Sequence, residues 1–289
     1  MGIDKSSVDH RWPRISIVIP TLNRVASLKR LLDVILASDY PDLEVIVVDG
    51  NSSDGTVDML KSYGERVKWI SEPDKGEYDA SNKGVKMATG ELIKVMQDDD
   101  LLRPEAFWTV AEYFASHPDV DIAFGRAVCW DATGDEPVEL YVSGVNGESK
   151  LSLKHWVYEQ TGVYHINHFM RRRVFDKIGL YSTDYVPGDM EFFCRAASKG
   201  IKMGVIPAVI ADFYITGENQ SLKKRKQMDR DMVAIIKKYG GPRAVLKAVF
   251  RHYVIAWLAA VCHKFDLHPV RFLLRIRYRL ASSRKKQVA

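Results

Sequence analysis

The first 125 residues alternate between short apolar runs and segments whose apolar residues recur at helical spacing. The first run, Ile15–Ile19, is rich in β-branched residues and is typical of a buried strand. Four more such runs follow, at Leu43–Val48, Val67–Ile70, Leu92–Met96 and Asp121–Phe124. Between them, apolar residues return every three or four positions, as in Leu28–Leu36. This alternation predicts an α/β fold with a largely parallel central sheet flanked by helices.

The polar residues of this region collect just after the predicted strands. Thr21 and Asn23 follow the first strand, residues 49–54 the second, residues 72–75 the third and residues 98–100 the fourth. In a parallel sheet the carboxyl ends of the strands lie at one edge, and folds of this kind bind their ligands there. The sequence therefore predicts one cleft that is lined by several loops.

Three adjacent aspartates, Asp98, Asp99 and Asp100, follow the fourth strand. Their carboxylates repel each other, and a bound cation is the simple way to hold them together. Oxygen ligands of this kind favour Mg²⁺ or Mn²⁺, which usually complete their coordination with water and substrate phosphates. A solvated acidic turn ahead of the helix that opens at Pro104 is the alternative. The position of the triplet among the other polar loops favours the metal site.

The sequence lacks the signature motifs of several enzyme classes. We find no GxxxxGK[ST] loop, no GxGxxG after the first strand and no GxSxG elbow, which argues against a Walker ATPase, a classical dinucleotide-binding dehydrogenase and an elbow-type hydrolase. The three cysteines, Cys129, Cys194 and Cys262, are far apart and favour a reducing compartment. The first residues include no apolar segment typical of a secretory signal, so we expect a cytoplasmic protein.

A set of sequence blocks carries a more specific signal. In order they are Ile15–Arg24 (ISIVIPTLNR), Val47–Thr56 (VVDGNSSDGT), Glu72–Gly84 (EPDKGEYDASNKG), Ala88–Glu91 (ATGE), Gln97–Asp100 (QDDD), Phe169–Gly179 and Gly188–Arg195. Their order and spacing resemble those of family-2 glycosyltransferases over residues 14–216. The resemblance implies a GT-A fold, in which a nucleotide-binding α/β layer is joined to an acceptor-binding half. It also implies sugar transfer with inversion at the anomeric carbon.

The resemblance implies a role for individual residues. The predicted nucleotide-sugar-binding residues are Pro20, Thr21, Asn23, Asp49, Ser52, Asp74, Asn82, Asp98 and Asp99. Asp98, Asp99 and Asp100 would bind a divalent cation, Mn²⁺ or Mg²⁺. Asp189 falls at the position of the catalytic base, and Arg195, on the next helical turn, would orient that region. His165 and Arg195 are the candidate acceptor contacts, and a structural role is the alternative for His165. Asp189 also precedes a helical stretch, so a role as its N-cap is the alternative, and both roles could hold.

Two positions depart from the family pattern. Gln97 stands where the family often has a small residue or Asp, and this blurs which two of the three aspartates would bind the metal. Gly188 stands where the family often has Glu, and this leaves Asp189 as the obvious base. The chemistry supports that assignment independently, because an attacking hydroxyl needs a carboxylate on the acceptor side to take its proton.

The predicted organisation has three parts. Residues 14–216 form the GT-A domain, with a nucleotide-sugar-binding half at about 14–125 and an acceptor-binding half at about 126–216. Residues 217–289 form a helical basic extension. Residues 130–150 are turn-rich, and we interpret them as a hairpin or a mobile loop.

The predicted function is metal-dependent, inverting transfer of a sugar from a UDP-, GDP- or dTDP-linked donor to a hydroxyl group. The acceptor would be a cell-surface polysaccharide or a lipid-linked glycan. The alternative is a non-catalytic protein of the same fold that binds nucleotide sugars or glycans. The presence of both the aspartate triplet and Asp189 argues against that alternative.

The charge of the chain is concentrated near its end. The formal net charge is +5, yet residues 242–289 contain eleven Lys and Arg residues and a single acid, Asp266. An apolar stripe runs through this segment at helical spacing, from Phe250 to Phe265. Its longest apolar part, Tyr253–Cys262, has about half the length that a bilayer span needs.

This pattern predicts that residues 242–289 bind an anionic membrane surface, which would place the protein peripherally at the inner face of the cell membrane. Packing of these helices on the rest of the protein is the alternative. No nucleic-acid motif accompanies the charge, so we expect no nucleic-acid partner.

Overall fold

The computed structural model describes residues 12–98, 101–134, 136–144, 151–158, 167–215 and 224–264. Within these residues nine β-strands form one sheet: β1 Ile15–Thr21, β2 Leu43–Asp49, β3 Lys68–Ser71, β4 Leu92–Val95, β5 Leu101–Leu102, β6 Ile122–Asp131, β7 Val138–Ser143, β8 His168–Arg171 and β9 Met203–Ile215. The α-helices there are α1 Val25–Leu36, α2 Thr56–Ser62, α3 Glu77–Met87, α4 Ala106–Ser116, α5 Leu153–Tyr158, α6 Arg173–Ile178, α7 Gly188–Ser198 and α8 Arg225–Lys264.

The strand order is β3-β2-β1-β4-β8-β6-β9-β5, and β7 pairs with the free part of β6. The first four strands are mutually parallel, which confirms the predicted α/β layer. β8 runs antiparallel to both β4 and β6 and so joins this layer to the second half of the sheet. β6 and β9 are parallel to each other, and β7 forms the predicted hairpin with β6.

Both faces of the sheet are covered. Every residue of β1 is buried, as expected for a central strand of a parallel sheet. Because side chains alternate along a strand, Ile17 and Ile19 pack into an apolar cluster with α1 and α4. Val18 points to the opposite face and packs into a second cluster with α3, α7 and α8. The loops at the carboxyl ends of the strands are therefore held by a core on each side.

Within the sheet, β2 and β3 lie on one side of β1 and β4 lies on the other. β1 pairs with β2 on one side and with β4 on the other, both in parallel register. The helix that leads into β4, α3, packs on the face opposite α1 and α2, so the strand order reverses at β1. In open α/β sheets the ligand crevice lies outside the carboxyl ends of the strands at such a switch point. Thr21 ends β1 and Asp98 follows β4, so both lie at this point.

The first half of α8 packs on the body of the protein. Ile235 and Ile236 are buried in the cluster that also includes residues of α5 and α7. The helix is interrupted at Gly241, whose φ of 71° is left-handed, and Pro242 begins the next segment. Beyond this break Leu246 and Phe250 are 72% and 69% exposed.

The predicted boundary between residues 216 and 217 stays a prediction. Residues 216–223 and 265–289 lie outside the described residues. None of the helices in the described part of the chain combines the length and the apolar character that crossing a membrane requires.

Candidate active site

Thr21 and Asp98 meet at the switch point between β1 and β4. The Thr21 hydroxyl donates a 2.6 Å hydrogen bond to Oδ2 of Asp98. Nε of Arg24 lies 3.8 Å from the other carboxylate oxygen of Asp98. Asp98 is only 5% exposed, so these contacts compensate a carboxylate that has lost most of its hydration. Asp98 is thereby fixed at the mouth of the crevice.

Asp49 organises the loop that follows β2. Its side chain is fully buried and accepts hydrogen bonds from the Ser52 backbone amide at 3.0 Å and the Ser71 hydroxyl at 2.6 Å. The Ser52 hydroxyl also donates to this carboxylate. Both oxygens of Asp49 are therefore engaged by protein donors, which hold the ends of β2 and β3 together.

The loops after β1 and β2 are hydrogen-bonded to each other. The Asn23 amide donates to Oγ of Ser52 at 2.7 Å, and the Ser53 amide donates to Oδ1 of Asn23 at 2.8 Å. Asn23 and Asn51 both have left-handed backbone conformations, with φ of 52° and 69°. Asn tolerates this region better than most residues, which favours these tight turns. Four predicted nucleotide-binding residues, Thr21, Asn23, Asp49 and Ser52, thus lie in one polar cluster.

Asp74 reaches the same cluster from the loop after β3. A Cβ atom added to Gly50 would lie 2.5 Å from Oδ2 of Asp74, so this carboxylate lies directly against the Gly50 backbone. Its other oxygen accepts a 2.7 Å hydrogen bond from the Gly76 amide. Pro20, by contrast, is buried within β1.

The first turn of α3 contacts two other parts of the site. Glu77 accepts a hydrogen bond from the side-chain amide of Gln97, the residue before Asp98. The next residue, Tyr78, contacts Asp189 of α7: its hydroxyl lies 3.3 Å from Oδ1 and accepts a 3.0 Å hydrogen bond from the Asp189 backbone amide. Consecutive residues of α3 therefore contact Gln97, the residue before Asp98, and the candidate base Asp189.

Asn82, one turn further along α3, connects the helix to the segment before α7. Its side-chain amide donates to the Tyr181 carbonyl and its oxygen accepts from the Tyr181 amide, both at 2.9 Å. The structure thus gives Asn82 a bridging role, and its contact with a nucleotide stays a prediction.

Asp189 lies in the first turn of α7 and is partly exposed. Pro187 occupies the N-cap, so the alternative interpretation of Asp189 as the N-cap residue is wrong. The prediction failed because the helix begins at Gly188, one residue before the carboxylate. An acidic residue in the first turn is favoured by the helix dipole.

Arg195 is held by contacts within the protein. Its guanidinium donates to Glu191 at 3.2 Å, to the Leu180 carbonyl at 2.8 Å and to the Ile178 carbonyl. It therefore fixes the segment that leads into α7. The predicted contact between Arg195 and the acceptor stays a prediction.

Glu191 attaches α8 to this helix. The Glu191 side chain is buried and accepts hydrogen bonds from the Tyr239 hydroxyl at 2.6 Å and the Lys238 ammonium at 3.0 Å. Burial opposes ionisation, but these two bonds and the nearby Arg195 keep the pKa of Glu191 below its usual value. The first half of α8 is thus part of the support for Asp189.

Three predicted site residues, Asp99, Asp100 and His165, lie outside the described residues. The described residues alone contain no group of three or more His, Cys, Asp or Glu side chains arranged to hold a metal ion. Asp98 nevertheless fits a cation site by its position at a buried strand end and by its carboxylate chemistry. Hard oxygen donors of this kind suit Mg²⁺ and Mn²⁺.

Comparison with known families decides the class. The family model for glycosyl transferase family 2 matches residues 16–179, more than half of the chain. The chain belongs to glycosyl transferase family 2. It is therefore a glycosyltransferase enzyme. The matched range begins at Ser16, within the first block of the resemblance, and ends at Gly179, so the block Gly188–Arg195 lies outside it.

Two curated proteins that are similar to this chain are named as sugar transferases. The PGL/p-HBAD biosynthesis glycosyltransferase of Mycobacterium bovis (strain BCG / Pasteur 1173P2) is 28% identical over 263 residues, which cover 85% of this chain and 97% of that protein. The GalNAc(5)-diNAcBac-PP-undecaprenol beta-1,3-glucosyltransferase of Campylobacter jejuni is 30% identical over 147 residues, covering 49% of this chain and 47% of that protein.

A solved structure supports the GT-A fold. The mannosyltransferase PcManGT from Pyrobaculum calidifontis, in complex with GDP-Man and Mn²⁺, matches with a TM-score of 0.58 and 19% identity. The match covers 93% of this chain and 81% of that one. At this identity the likeness carries the fold alone, which agrees with the sheet described above.

The sequence alone does not single out Tyr78 or Glu77 as site residues. Tyr78 lies in the block Glu72–Gly84, but its contact partner Asp189 is 111 positions away in the chain. Gln97 and Gly188 both depart from the family pattern, and the structure gives Gln97 a partner in Glu77 and places Gly188 against the Tyr78 ring. A single family-2 sequence shows such residues but not which of them meet across the fold.

Proposed function

We propose that this family-2 enzyme is a metal-dependent, inverting glycosyltransferase that transfers a sugar from a nucleoside diphosphate donor to a hydroxyl group. The observation that carries the proposal is the connection through α3. Gln97 contacts Glu77 beside the Asp98 strand end, and Tyr78 contacts Asp189. This arrangement supports two carboxylate sites on opposite sides of one crevice, as inverting transfer needs.

The donor would bind along the polar cluster at the ends of β1, β2 and β3. Thr21, Asn23, Ser52 and Asp74 are the proposed donor contacts, with Pro20, Asp49 and Asn82 holding the loops that carry them. Asp98, Asp99 and Asp100 are the proposed cation ligands. When bound, a divalent cation would offset the negative charge on the diphosphate leaving group.

The transfer step follows from these positions. Asp189 takes the proton of the acceptor hydroxyl as that oxygen forms its bond to the anomeric carbon. The bond from the anomeric carbon to the diphosphate oxygen breaks, and its electron pair leaves with the nucleoside diphosphate. Attack and departure on opposite faces invert the configuration of the sugar.

We further propose a glycan or lipid-linked acceptor that the enzyme meets at an anionic membrane surface. The name of the Campylobacter relative includes an undecaprenol-linked glycan, which supports this class. The basic content of residues 242–289 and the exposed Leu246 and Phe250 support a surface-bound enzyme. His165 and Arg195 are kept as proposed acceptor-side residues.

The test has two stages. A thermal-shift screen with UDP-glucose, UDP-N-acetylglucosamine, GDP-mannose and dTDP-rhamnose, with and without MnCl₂, should identify a donor that raises the melting temperature only with the metal. Release of nucleoside diphosphate from that donor is then measured with and without a polyprenyl diphosphate-linked glycan.

Asp189→Asn should bind the donor normally but lose about 10²–10⁴-fold in turnover. Asp184→Asn is the matched control, because Asp184 is an exposed aspartate five residues earlier. Near-normal turnover by Asp189→Asn would exclude the proposed base. A donor that binds equally well without metal would exclude the proposed cation role.

A further inference from the structure

One oxygen atom contacts both the backbone and the side chain of Asp189. The Tyr78 hydroxyl accepts the Asp189 backbone N–H at 3.0 Å and lies 3.3 Å from Oδ1 of the same residue. The amide and the carboxylate are thereby held in a fixed relation to each other. Such support matters for a general base, because proton transfer depends on a closely defined geometry.

Tyr78 is itself firmly placed. Its ring lies 5.5 Å from that of Tyr181, and the Asn82 bonds to the Tyr181 backbone hold this neighbour in position. Burial and the adjacent Asp189 carboxylate raise the pKa of Tyr78 well above its usual value. The phenol therefore stays protonated and can donate to the carboxylate throughout the neutral range.

Because Gly188 has no side chain, the ring of Tyr78 can pack directly against its backbone. A Cβ atom at position 188 would lie 2.6 and 2.7 Å from two ring carbons of Tyr78 and 3.0 Å from the Ser182 carbonyl oxygen. The φ of Gly188 is not left-handed, so its lack of a side chain is explained by this close approach. Any larger residue would displace the ring and with it the hydroxyl.

We infer that Tyr78 is a positioning residue for Asp189, holding its carboxylate towards the acceptor hydroxyl, and that Gly188 is required for Tyr78 to do so. This inference rests on the proposed function of Asp189 as the base. It also explains why this chain has Gly where the family often has Glu. The tyrosine ring fills the place that a side chain at 188 would take.

Loss of the Tyr78 hydroxyl should change the ionisation of the Asp189 carboxylate. A hydrogen bond donated to a carboxylate favours its charged form, so removing the bond raises the pH at which the base becomes active. Besides Tyr78, Tyr181 before α7 and Cys194 of α7 interact electrostatically with Asp189, and Glu77, Arg195 and Glu191 act in turn on Tyr181 or Cys194. These groups are unchanged in Tyr78→Phe, so a shifted profile reports the lost hydroxyl.

The experiment compares Tyr78→Phe with Tyr63→Phe. Tyr63, just after α2, is the matched control because its hydroxyl also donates to a carboxylate, at 2.8 Å to Asp33, and it packs in the cluster on the other face of the sheet. Nucleoside diphosphate release is measured from pH 5 to 9 with the donor found above. For Tyr78→Phe we expect kcat to fall roughly tenfold or more, the donor KM to stay within about twofold and the acid limb to move to higher pH. Tyr63→Phe should match the wild type in all three.

A second variant tests the role of the glycine. Gly188→Ala should reproduce the Tyr78→Phe phenotype, and the two changes combined should cost little more than either alone, because both remove the same contact. A wild-type pH profile and kcat for Tyr78→Phe, beside an inactive Asp189→Asn, would overturn this inference and leave the proposed function intact. An active Asp189→Asn would instead overturn the proposed base.

Discussion

The side chain of Asn82 and the backbone of Tyr181 exchange two hydrogen bonds, each 2.9 Å long, although 99 residues separate them in the chain. The contact joins α3 to the segment that leads into α7. These bonds use one of the two N–H hydrogens and one of the two oxygen lone pairs of the Asn82 amide, so a direct contact with the donor would have to use the remaining hydrogen or lone pair.

Asn82→Leu separates the two roles of this residue. Removing the amide leaves the Tyr181 amide and carbonyl without these partners, so we expect a loss of about 1–3 kcal/mol in the free energy of unfolding. Turnover should fall because the segment before Asp189 loosens, while the donor dissociation constant stays within about twofold. Urea unfolding and calorimetric titration measure both quantities. Weaker donor binding without a stability change would instead favour a direct nucleotide contact.

Thr21→Val tests the hydrogen bond to Asp98. Valine has nearly the same shape and suits a strand end, but it cannot donate to the Asp98 carboxylate. We expect roughly tenfold weaker binding of UDP or GDP in the presence of MnCl₂, because a hydrogen bond to a charged group is lost at the proposed cation site.

Thr109→Val is the control for this substitution. The Thr109 hydroxyl donates to the carbonyl of Glu105, the N-cap residue of α4, away from the switch point. Calorimetry with both variants gives the comparison. Equal affinities for Thr21→Val and the wild type would mean that this bond does not orient the nucleotide site.

The buried side chain of Glu44 leads to a prediction of how the free energy of unfolding depends on pH. Burial alone would raise the pKa of Glu44, but hydrogen bonds from Lys68, Ser16 and Thr89 lower it to about 2. The ionised form is therefore favoured in the folded state. The stability that this provides is complete above the usual carboxyl pKa of about 4.5 and is lost as the pH falls towards 2.

Urea unfolding between pH 2 and 7 checks this prediction. The free energy of unfolding of the wild type should fall steeply below pH 4.5, and that of Glu44→Gln should be lower at neutral pH but flatter in acid. The exposed Glu65 provides the control Glu65→Gln, which should keep the wild-type slope. Glu44 lies near the opposite end of β2 from Asp49, so Glu44→Gln should also keep its affinity for the donor. Parallel curves for wild type and Glu44→Gln would contradict the assignment.

The parts of the fold that sequence reasoning predicted are those with a local cause. The buried strands β1, β2 and β4 follow from continuous apolar runs, and the polar cluster follows from what comes directly after those strands. The antiparallel β8 was not predicted, because its four residues carry no alternation and its place is set by pairing with β4 and β6.

The side-chain contacts of the site could not be read in the same way. Asp49 was predicted from the resemblance as a ligand contact, yet its environment of serine donors depends on how two loops fold together. The Tyr78–Asp189 contact and the space above Gly188 exist only because α3 and α7 are adjacent. The spacing of residues along the chain does not show that these two helices are adjacent.

The exposed apolar pair on α8 leads to a prediction about membranes. Leu246 and Phe250 are four residues apart, so they lie on one face of the helix, and both are largely exposed. They belong to residues 242–289, whose sequence contains eleven basic residues and one acid. Apolar side chains that enter the headgroup region, assisted by attraction to anionic lipid, would hold the enzyme near a lipid-linked acceptor.

Leu246→Glu combined with Phe250→Glu should reduce co-sedimentation of the full chain with phosphatidylglycerol vesicles roughly tenfold or more, because it removes two apolar contacts and adds two negative charges. Val138→Glu combined with Val142→Glu is the matched control, since these valines are also exposed but lie on β7. Binding of the wild type should weaken as salt is raised, because the attraction to anionic lipid is screened. If both double variants sediment like the wild type, or if the wild type does not bind at all, the surface of α8 is not a membrane contact and the acceptor must reach the enzyme in another way.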